Sequence, residues 1–307
     1  MYDIIIVGAG PAGLTAALYA RRAEKSVLVI ERDTFGGQMT HSPRIENYPG
    51  FVALSGNELA DKLIEQVFAQ GAEIELDCVT DIKENGDTYT VVCEGASYEA
   101  RAVIIAAGSS HRTLGLEGED ELVGNGISYC AVCDGAFYKD KTVAVIGGGN
   151  SALGDASLLQ KTAKKIYIIQ NLSYLTGEST LARRLEAADN VEIIFSASVI
   201  ALKSQNGELC GITVSRDGIE EDISIDGMFV AIGQKPENEP FRSVCDINEY
   251  GYIVSDESCS PSGSRPGIFT AGDCRTKAVR QISTATADGA IAALAACKYI
   301  DSISNIS

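Results

Sequence analysis

Apolar positions along this chain gather in short unbroken runs separated by glycine-rich turns. "YDIIIV" opens the sequence and "SVLVIE" follows some twenty residues later; between them lie a glycine turn and a stretch whose pattern predicts a helix. The same order returns in "KTVAVIGGGNSALGDASLLQKTAKKIYIIQ". The first copy carries Gly8-x-Gly10-x-x-Gly13 and ends at Glu31; the second carries Gly147-x-Gly149-x-x-Ala152 and ends at Gln170. In both, 18 positions separate the last small residue from the end of the second strand. Two βαβ units of dinucleotide-binding type are the simplest account of this echo.

Further apolar runs end in glycine. "AVIIAAGSS" at 102–110 and "GMFVAIGQKPE" at 227–237 each predict a strand that leads back towards a nucleotide domain. "GIFTAGDCRTKAVRQISTATADGAIAALAA" then places a strand and Asp273 ahead of an alanine-rich helix. The expected fold class is α/β with two Rossmann-like domains, the second inserted in the first. Residues 1–112 and 241–307 would form one domain and residues 113–240 the other.

Composition changes this picture little, and mainly by exclusion. The 307 residues are 45% apolar and 22% charged, ordinary for a globular chain with two cores. Asp3 and the interrupting glycines leave no basic, uninterrupted leader, and no long uncharged stretch suggests a membrane span. The expectation is a cytosolic protein. A formal charge of −17 argues against a nucleic-acid partner, which needs concentrated Lys and Arg. Cys78, Cys93, Cys210, Cys245, Cys259, Cys274 and Cys297 stand alone and are expected mostly as buried small hydrophobes.

The other two cysteines, Cys130 and Cys133, form a CxxC pair in "YCAVCDGAF". Thiols at this spacing can close a small disulfide and reopen by exchange, and a helix starting there would favour a thiolate. Zinc would call for two more ligands at paired spacing, and His41 and His111 stand far off as single residues. The first glycine turn can be assigned part by part. Gly8 allows the tight turn, Gly10 admits a pyrophosphate to the backbone, Gly13 lets helix pack on strand, and Glu31 can accept from ribose hydroxyls.

On "GAGPAG", "GGQM" at 36–39, "ENYPG" at 46–50, "CAVCDGAFY" at 130–138 and "AGDCRTKAVRQI" at 271–282, the chain resembles the low-molecular-weight thioredoxin reductases along nearly its whole length. The resemblance implies a homodimer, FAD in the discontinuous domain and a redox disulfide on the inserted, NAD(P)-binding-like one. It places Gly8, Gly10, Pro11, Ala12, Gly13, Gly37, Val79, Gly108, Gly272 and Ile282 in the cofactor-binding set. Glu31 would bind the FAD ribose, and Gln38 and Asn47 would line the flavin. Asp273, Arg280 and Gln281 would hold the ribityl chain, the pyrophosphate and the ring edge. Cys133 would face the flavin, Cys130 would attack the disulfide of thioredoxin, and Asp134 would donate or accept the proton.

One departure from the family pattern bears on the electron donor. NADPH-using members follow the strand corresponding to "IYIIQ" with a His-Arg-Arg cluster and a further Arg, which grip the 2′-phosphate. Here those positions are Gln170, Asn171, Leu172 and Thr176. Each lost charge-assisted contact is worth roughly 1.5–3 kcal/mol. An NADH preference would call for an acid at Gln170, which is neutral. The pattern is similar to that of ferredoxin-dependent flavin thioredoxin reductases, which keep FAD and CxxC without the clamp. The expectation is that ferredoxin feeds FAD and the cysteine pair passes electrons to thioredoxin, with Lys139, Lys141, Lys161, Lys164 and Lys165 as candidate docking cations for an acidic partner. An NADPH enzyme with an altered clamp, a dithiol oxidase using oxygen and a flavin-bound scaffold are the alternatives.

Overall fold

The computed structural model describes residues 1–42 and 44–304. In chain order it contains β1 (Tyr2–Val7), α1 (Pro11–Arg22), β2 (Val27–Glu31), α2 (Gly56–Ala69), β3 (Glu73–Leu76), β4 (Val79–Asn85), β5 (Thr88–Cys93), β6 (Ser97–Ile105) and β7 (Ser110–His111). Next come α3 (Glu119–Leu122), β8 (Ile127–Ser128), α4 (Ala131–Asp134), β9 (Thr142–Ile146), α5 (Asn150–Leu159), β10 (Lys165–Gln170), α6 (Ser179–Glu186) and β11 (Val191–Phe195). They are followed by β12 (Ala197–Gln205), β13 (Glu208–Arg216), β14 (Ile219–Ser224), β15 (Gly227–Val230), β16 (Gln234–Lys235), β17 (Ile268–Thr270) and α7 (Ile282–Ser304).

The chain divides into two compact units, one of Met1–Ser110 with the segment from Lys235 onward, the other of His111–Gln234. Both boundaries therefore differ from the expected 112/113 and 240/241. Residues 235–240 join the first unit because Asn238, buried, donates its side-chain amide to the carbonyls of Gly251 and Cys274 at 2.8 Å each. Residues 111–112 go with the second because the Arg112 amide donates to the Gly233 carbonyl at 3.1 Å.

The first unit is built on a sheet of order β3-β2-β1-β6-β5-β4, with β17 also paired to β6. β1 lies parallel between β2 and β6, in register Ile6 to Val29 and Ile6 to Ile104. Ile4, Ile5 and Ile6 are all fully buried, which is why this strand reads as a continuous apolar run: a central parallel strand is covered on both faces. One face packs on α1 and the alanine-rich α7. A Cβ at Gly289 of α7 would overlap the Ala12 carbonyl oxygen of α1, so small residues let these two helices lie close.

The second unit repeats the plan with a sheet of order β11-β10-β9-β15-β8 and a separate antiparallel sheet β12-β13-β14. β9 sits parallel between β10 and β15, Val145 facing Ile168 and Phe229. Cys93, Cys245, Cys259, Cys274 and Cys297 are buried, but Cys78 is half-buried and Cys210 exposed. Cys210 lies on β13 between the buried Leu209 and Gly211, where the pleat turns alternate side chains outward. Among the described residues no helix is long and apolar enough to cross a membrane, and no group of three or more His, Cys, Asp or Glu is placed to hold a metal.

Candidate functional site

In the first unit the glycine turn between β1 and α1 is shaped by its neighbours. Gly8 has φ +104°, and a Cβ there would overlap the Ala106 carbonyl, so only glycine fits. Gly13 is pressed against the Gly8 carbonyl, which brings helix onto strand. Gly10 is different: a Cβ there would meet nothing within 4 Å, leaving open space in front of the N-terminus of α1, where Pro11 begins the helix. Glu31, at the end of β2, accepts the Ala9 amide at 2.7 Å and the Asp33 amide at 3.0 Å. The segment beyond it returns to the turn. Gly36 donates to the Ala9 carbonyl at 2.8 Å, and a Cβ on Gly37 would lie 3.2 Å from the Gly10 Cα.

The remaining residues of the expected cofactor set lie in the same unit. Gln38 is exposed in the short turn Gly37–His41, and Asn47 donates to the Gln281 side-chain oxygen at 3.3 Å. Asp273 follows β17 with its Oδ1 buried and unpartnered; burial raises its pKa, while Lys277 and Arg280 oppose the rise. The Arg280 guanidinium stacks 4.2 Å from the centre of the Tyr252 ring. Gly272, at φ +80°, leaves room for the Ala12 methyl. Gly108, at φ +70°, faces open space, and the Ser109 hydroxyl beside it is buried without a partner. Ile282 starts α7 and packs on the cluster of Met39, Ile45 and Leu54, whereas the Val79 side chain belongs to the core with Ile5, Val7 and Ile30.

In the second unit Cys130 and Cys133 are joined in a disulfide, their Cα atoms 5.3 Å apart. Cys130 caps α4, and the Cys133 amide donates to its sulfur at 3.2 Å. Ser128 ties the turn together, its hydroxyl donating to Asp134 Oδ2 at 2.6 Å and accepting the Cys130 amide at 3.1 Å. Asp134 Oδ1 is buried with no partner, and burial raises the Asp134 pKa against the pull of Ser128. A carboxyl in this setting holds its proton to higher pH than an ordinary aspartate, beside a disulfide whose opening consumes protons.

The second glycine turn, Gly147–Gly149, carries no cation at its strand end. Gln170 is buried, donates its side-chain amide to the Tyr174 carbonyl at 3.1 Å, and lies where a Cβ on Gly148 would come within 2.6 Å of it. Thr176 and Gly177 donate to the Gly148 carbonyl at 2.8 and 3.0 Å, and Glu178 donates to Asn150 Oδ1 at 2.7 Å. Leu172 and Tyr174 are exposed.

The sequence matches the profile of the pyridine nucleotide-disulphide oxidoreductases over residues 2–289. It is similar to a thioredoxin reductase of Bacillus subtilis (strain 168), at 42% identity over 99% of this chain and 96% of the relative. The chain belongs to the pyridine nucleotide-disulphide oxidoreductase family. Another relative, described as a 34.2 kDa protein in the rubredoxin operon of Clostridium pasteurianum, is 40% identical over 97% of both chains. Among solved structures, the thioredoxin reductase from Streptococcus pyogenes MGAS5005 superposes with a TM-score of 0.93 at 39% identity, over 98% of this chain and 99% of its own. Within the pyridine nucleotide-disulphide oxidoreductases the protein is therefore a flavin disulfide oxidoreductase of the thioredoxin reductase type.

The family implies FAD, and the first unit fits it. The space in front of Gly10 is open, and two buried polar atoms, Asp273 Oδ1 and Ser109 Oγ, await partners. Sequence reasoning missed what organises this part of the site. Asp288 of α7 is buried and accepts from Arg275 through Nε and Nη2 at 2.9 Å each, from Lys277 at 2.9 Å and from the Gly272 amide at 3.0 Å. These contacts hold the depth of the "AGDCRTKAVRQI" segment. The signal was a lone acid in the alanine-rich run "ADGAIAALAA", which has no reason to be there without a buried cation.

Proposed function

We propose that the protein reduces thioredoxin through the Cys130–Cys133 disulfide with electrons from reduced ferredoxin, as a cytosolic homodimer. The observation that carries the donor is the filling of the second glycine turn: an uncharged, buried Gln170 lies against Gly148, and Asn171, Leu172 and Thr176 supply no cation for a 2′-phosphate. Gly10, Glu31, Asp273, Arg280 and Gln281 would hold FAD, which when bound would supply both one-electron and two-electron chemistry. Two electrons break the Cys130–Cys133 bond. Asp134, whose carboxyl pKa is raised by burial, gives a proton to one sulfur and leaves the other as a thiolate. Cys130 attacks the thioredoxin disulfide, forming a mixed disulfide and releasing one thioredoxin thiolate. Cys133 then attacks the Cys130 sulfur, restoring the starting disulfide and freeing reduced thioredoxin.

Three further observations support this reading. One relative is described as a protein in a rubredoxin operon. Lysines that the sequence scatters are brought together: the Lys164 amide donates to the Lys141 carbonyl at 2.8 Å and Asp140 to Thr162 at 2.9 Å, gathering Lys139, Lys141, Lys161 and Lys164 on one exposed edge. Lys165 beside them is paired with Glu192. Such a patch suits an acidic partner on a chain that is otherwise negative. Exposed Tyr19 on α1 and Ile291 and Leu294 on α7 offer apolar surface for a second copy.

A second reading, use of a pyridine nucleotide, is favoured by the family description and by Gly149, where an added Cβ would meet the Thr176 hydroxyl at no closer than 3.7 Å. Steady-state thioredoxin reduction with NADPH, NADH or reduced ferredoxin as sole donor separates the two. Turnover with ferredoxin alone is expected, and turnover with NADPH at comparable rate refutes the ferredoxin donor.

A further inference from the structure

Ser128 ends β8 just ahead of the cysteine pair, and it is buried. Its Oγ accepts the Cys130 amide at 3.1 Å, so the hydroxyl proton is what it has left to give. Two acceptors lie within reach: Asp134 Oδ2 at 2.6 Å and the Cys130 carbonyl at 3.4 Å. The carbonyl is the poorer choice, because 3.4 Å is long for an O–H···O bond and its oxygen already receives the Cys133 and Asp134 amides at 3.1 and 3.0 Å. The proton therefore goes to Asp134 Oδ2. With Oδ2 accepting, the acid proton of a neutral Asp134 sits on Oδ1, which is buried and has no hydrogen-bond partner.

We propose that Ser128 is a positioning residue of the redox turn: by engaging Asp134 Oδ2 and the Cys130 amide with one hydroxyl, it presents Oδ1 as the oxygen that trades a proton with the cysteine sulfurs. When two electrons break the Cys130–Cys133 bond, the Oδ1 proton passes to one sulfur, the other sulfur is left as a thiolate, and Asp134 becomes an anion that the Ser128 O–H stabilises through Oδ2. When a partner disulfide takes the two electrons, the protonated sulfur returns its proton to Oδ1 as the pair closes again. Ser128 itself neither gains nor loses a proton in this cycle. Without its hydroxyl the carboxyl would be free to turn, and either oxygen could carry the proton.

The inference rests on the Cys130–Cys133 pair and on Asp134 as its proton donor, but not on the electron donor. For the test, flavin-loaded protein is opened with a small dithiol, freed of it by gel filtration and mixed anaerobically with oxidised thioredoxin at increasing concentration, so that limiting rate and half-saturation are read separately. Ser128→Ala should lower the limiting rate about tenfold and leave the half-saturating concentration within about twofold of the parent. Ser128→Thr, which keeps a hydroxyl, should run near the parent, and Ser128→Val, of the same shape without one, should repeat the loss; this second pair decides the matter if the Ala variant fails to fold. Asp134→Asn removes the proton that Ser128 positions and should slow the reaction about a hundredfold. Adding Ser128→Ala to it should change the rate by less than about twofold more. Ala and Val variants at the parent rate, or a loss that Ser128→Ala adds in full to that of Asp134→Asn, overturns the role of Ser128 alone. Asp134→Asn at the parent rate removes the proton role of Asp134 and this inference with it. A parent whose opened pair does not reduce thioredoxin overturns this inference and the redox reading together.

Discussion

The two glycine turns of this molecule share a scaffold and differ in what fills them. Gly147 has φ +123° and lies against the Ala231 carbonyl as Gly8 lies against that of Ala106, and in each unit the loop after the second strand donates back to the turn at 2.8 Å. The differences are in side chains. Glu31 sends its carboxylate to the Ala9 amide, next to open space at Gly10, while Gln170 turns to the Tyr174 carbonyl and occupies the room that Gly148 provides. Backbone geometry thus preserves a dinucleotide turn as a folding unit in both halves, and the strand-end residue with the loop behind it is where the two turns differ.

Mirror substitutions in the two turns should have the largest and most unequal effects. Gly10→Leu should fill the space before α1 and leave purified protein without flavin, read by its visible absorbance. Gly149→Leu should leave flavin content and ferredoxin-driven turnover near those of the parent; loss of flavin there would show that the turns are not functionally distinct. The unit with the filled turn is also the one that carries the dithiol. Cys130→Ser and Cys133→Ser should each lower thioredoxin reduction by at least about a thousandfold while keeping FAD. Cys133→Ser alone should trap thioredoxin as a mixed disulfide on Cys130, and trapping by the opposite variant would reverse the assigned roles.

Substitutions at the strand ends should have smaller effects. Gln170→Glu places an anion against the Tyr174 carbonyl in a buried site and should cost about 1–3 kcal/mol of stability, read by denaturant unfolding. Glu31→Gln should weaken FAD by about tenfold, the loss of a charge-assisted contact, read by flavin release on dilution. The smallest effect concerns pH. Because the Asp155 carboxyl is raised from 3.8 to about 6 in the folded state, the parent loses stability as pH rises through that window. Asp155→Asn should therefore gain Tm relative to the parent from about pH 4 to about pH 6 and run parallel to it above.

Much of this was legible in the sequence because the information is local. The doubly buried strands appear as unbroken apolar runs, the turns as glycines at fixed spacing, and the dithiol as CxxC. Residues that act through distant partners were not legible. Asp288 meets Arg275 and Lys277 only after α7 folds back over β17. Asn238 moved a unit boundary through hydrogen bonds to Gly251 and Cys274, which no composition shift announces. The lysine edge needed the bonds between residues 140–141 and 162–164 to become a patch.

On the proposed function, the second turn receives no pyridine nucleotide that could feed the flavin. Anaerobic titration of the flavin absorbance tests it most directly, with the parent and a variant carrying Gln170→His, Asn171→Arg, Leu172→Arg and Thr176→Arg. Millimolar NADPH is expected to leave the parent oxidised, reduced ferredoxin to bleach it, and the fourfold variant to gain NADPH binding through its new cations. Rapid bleaching of the parent by NADPH would contradict the proposed function.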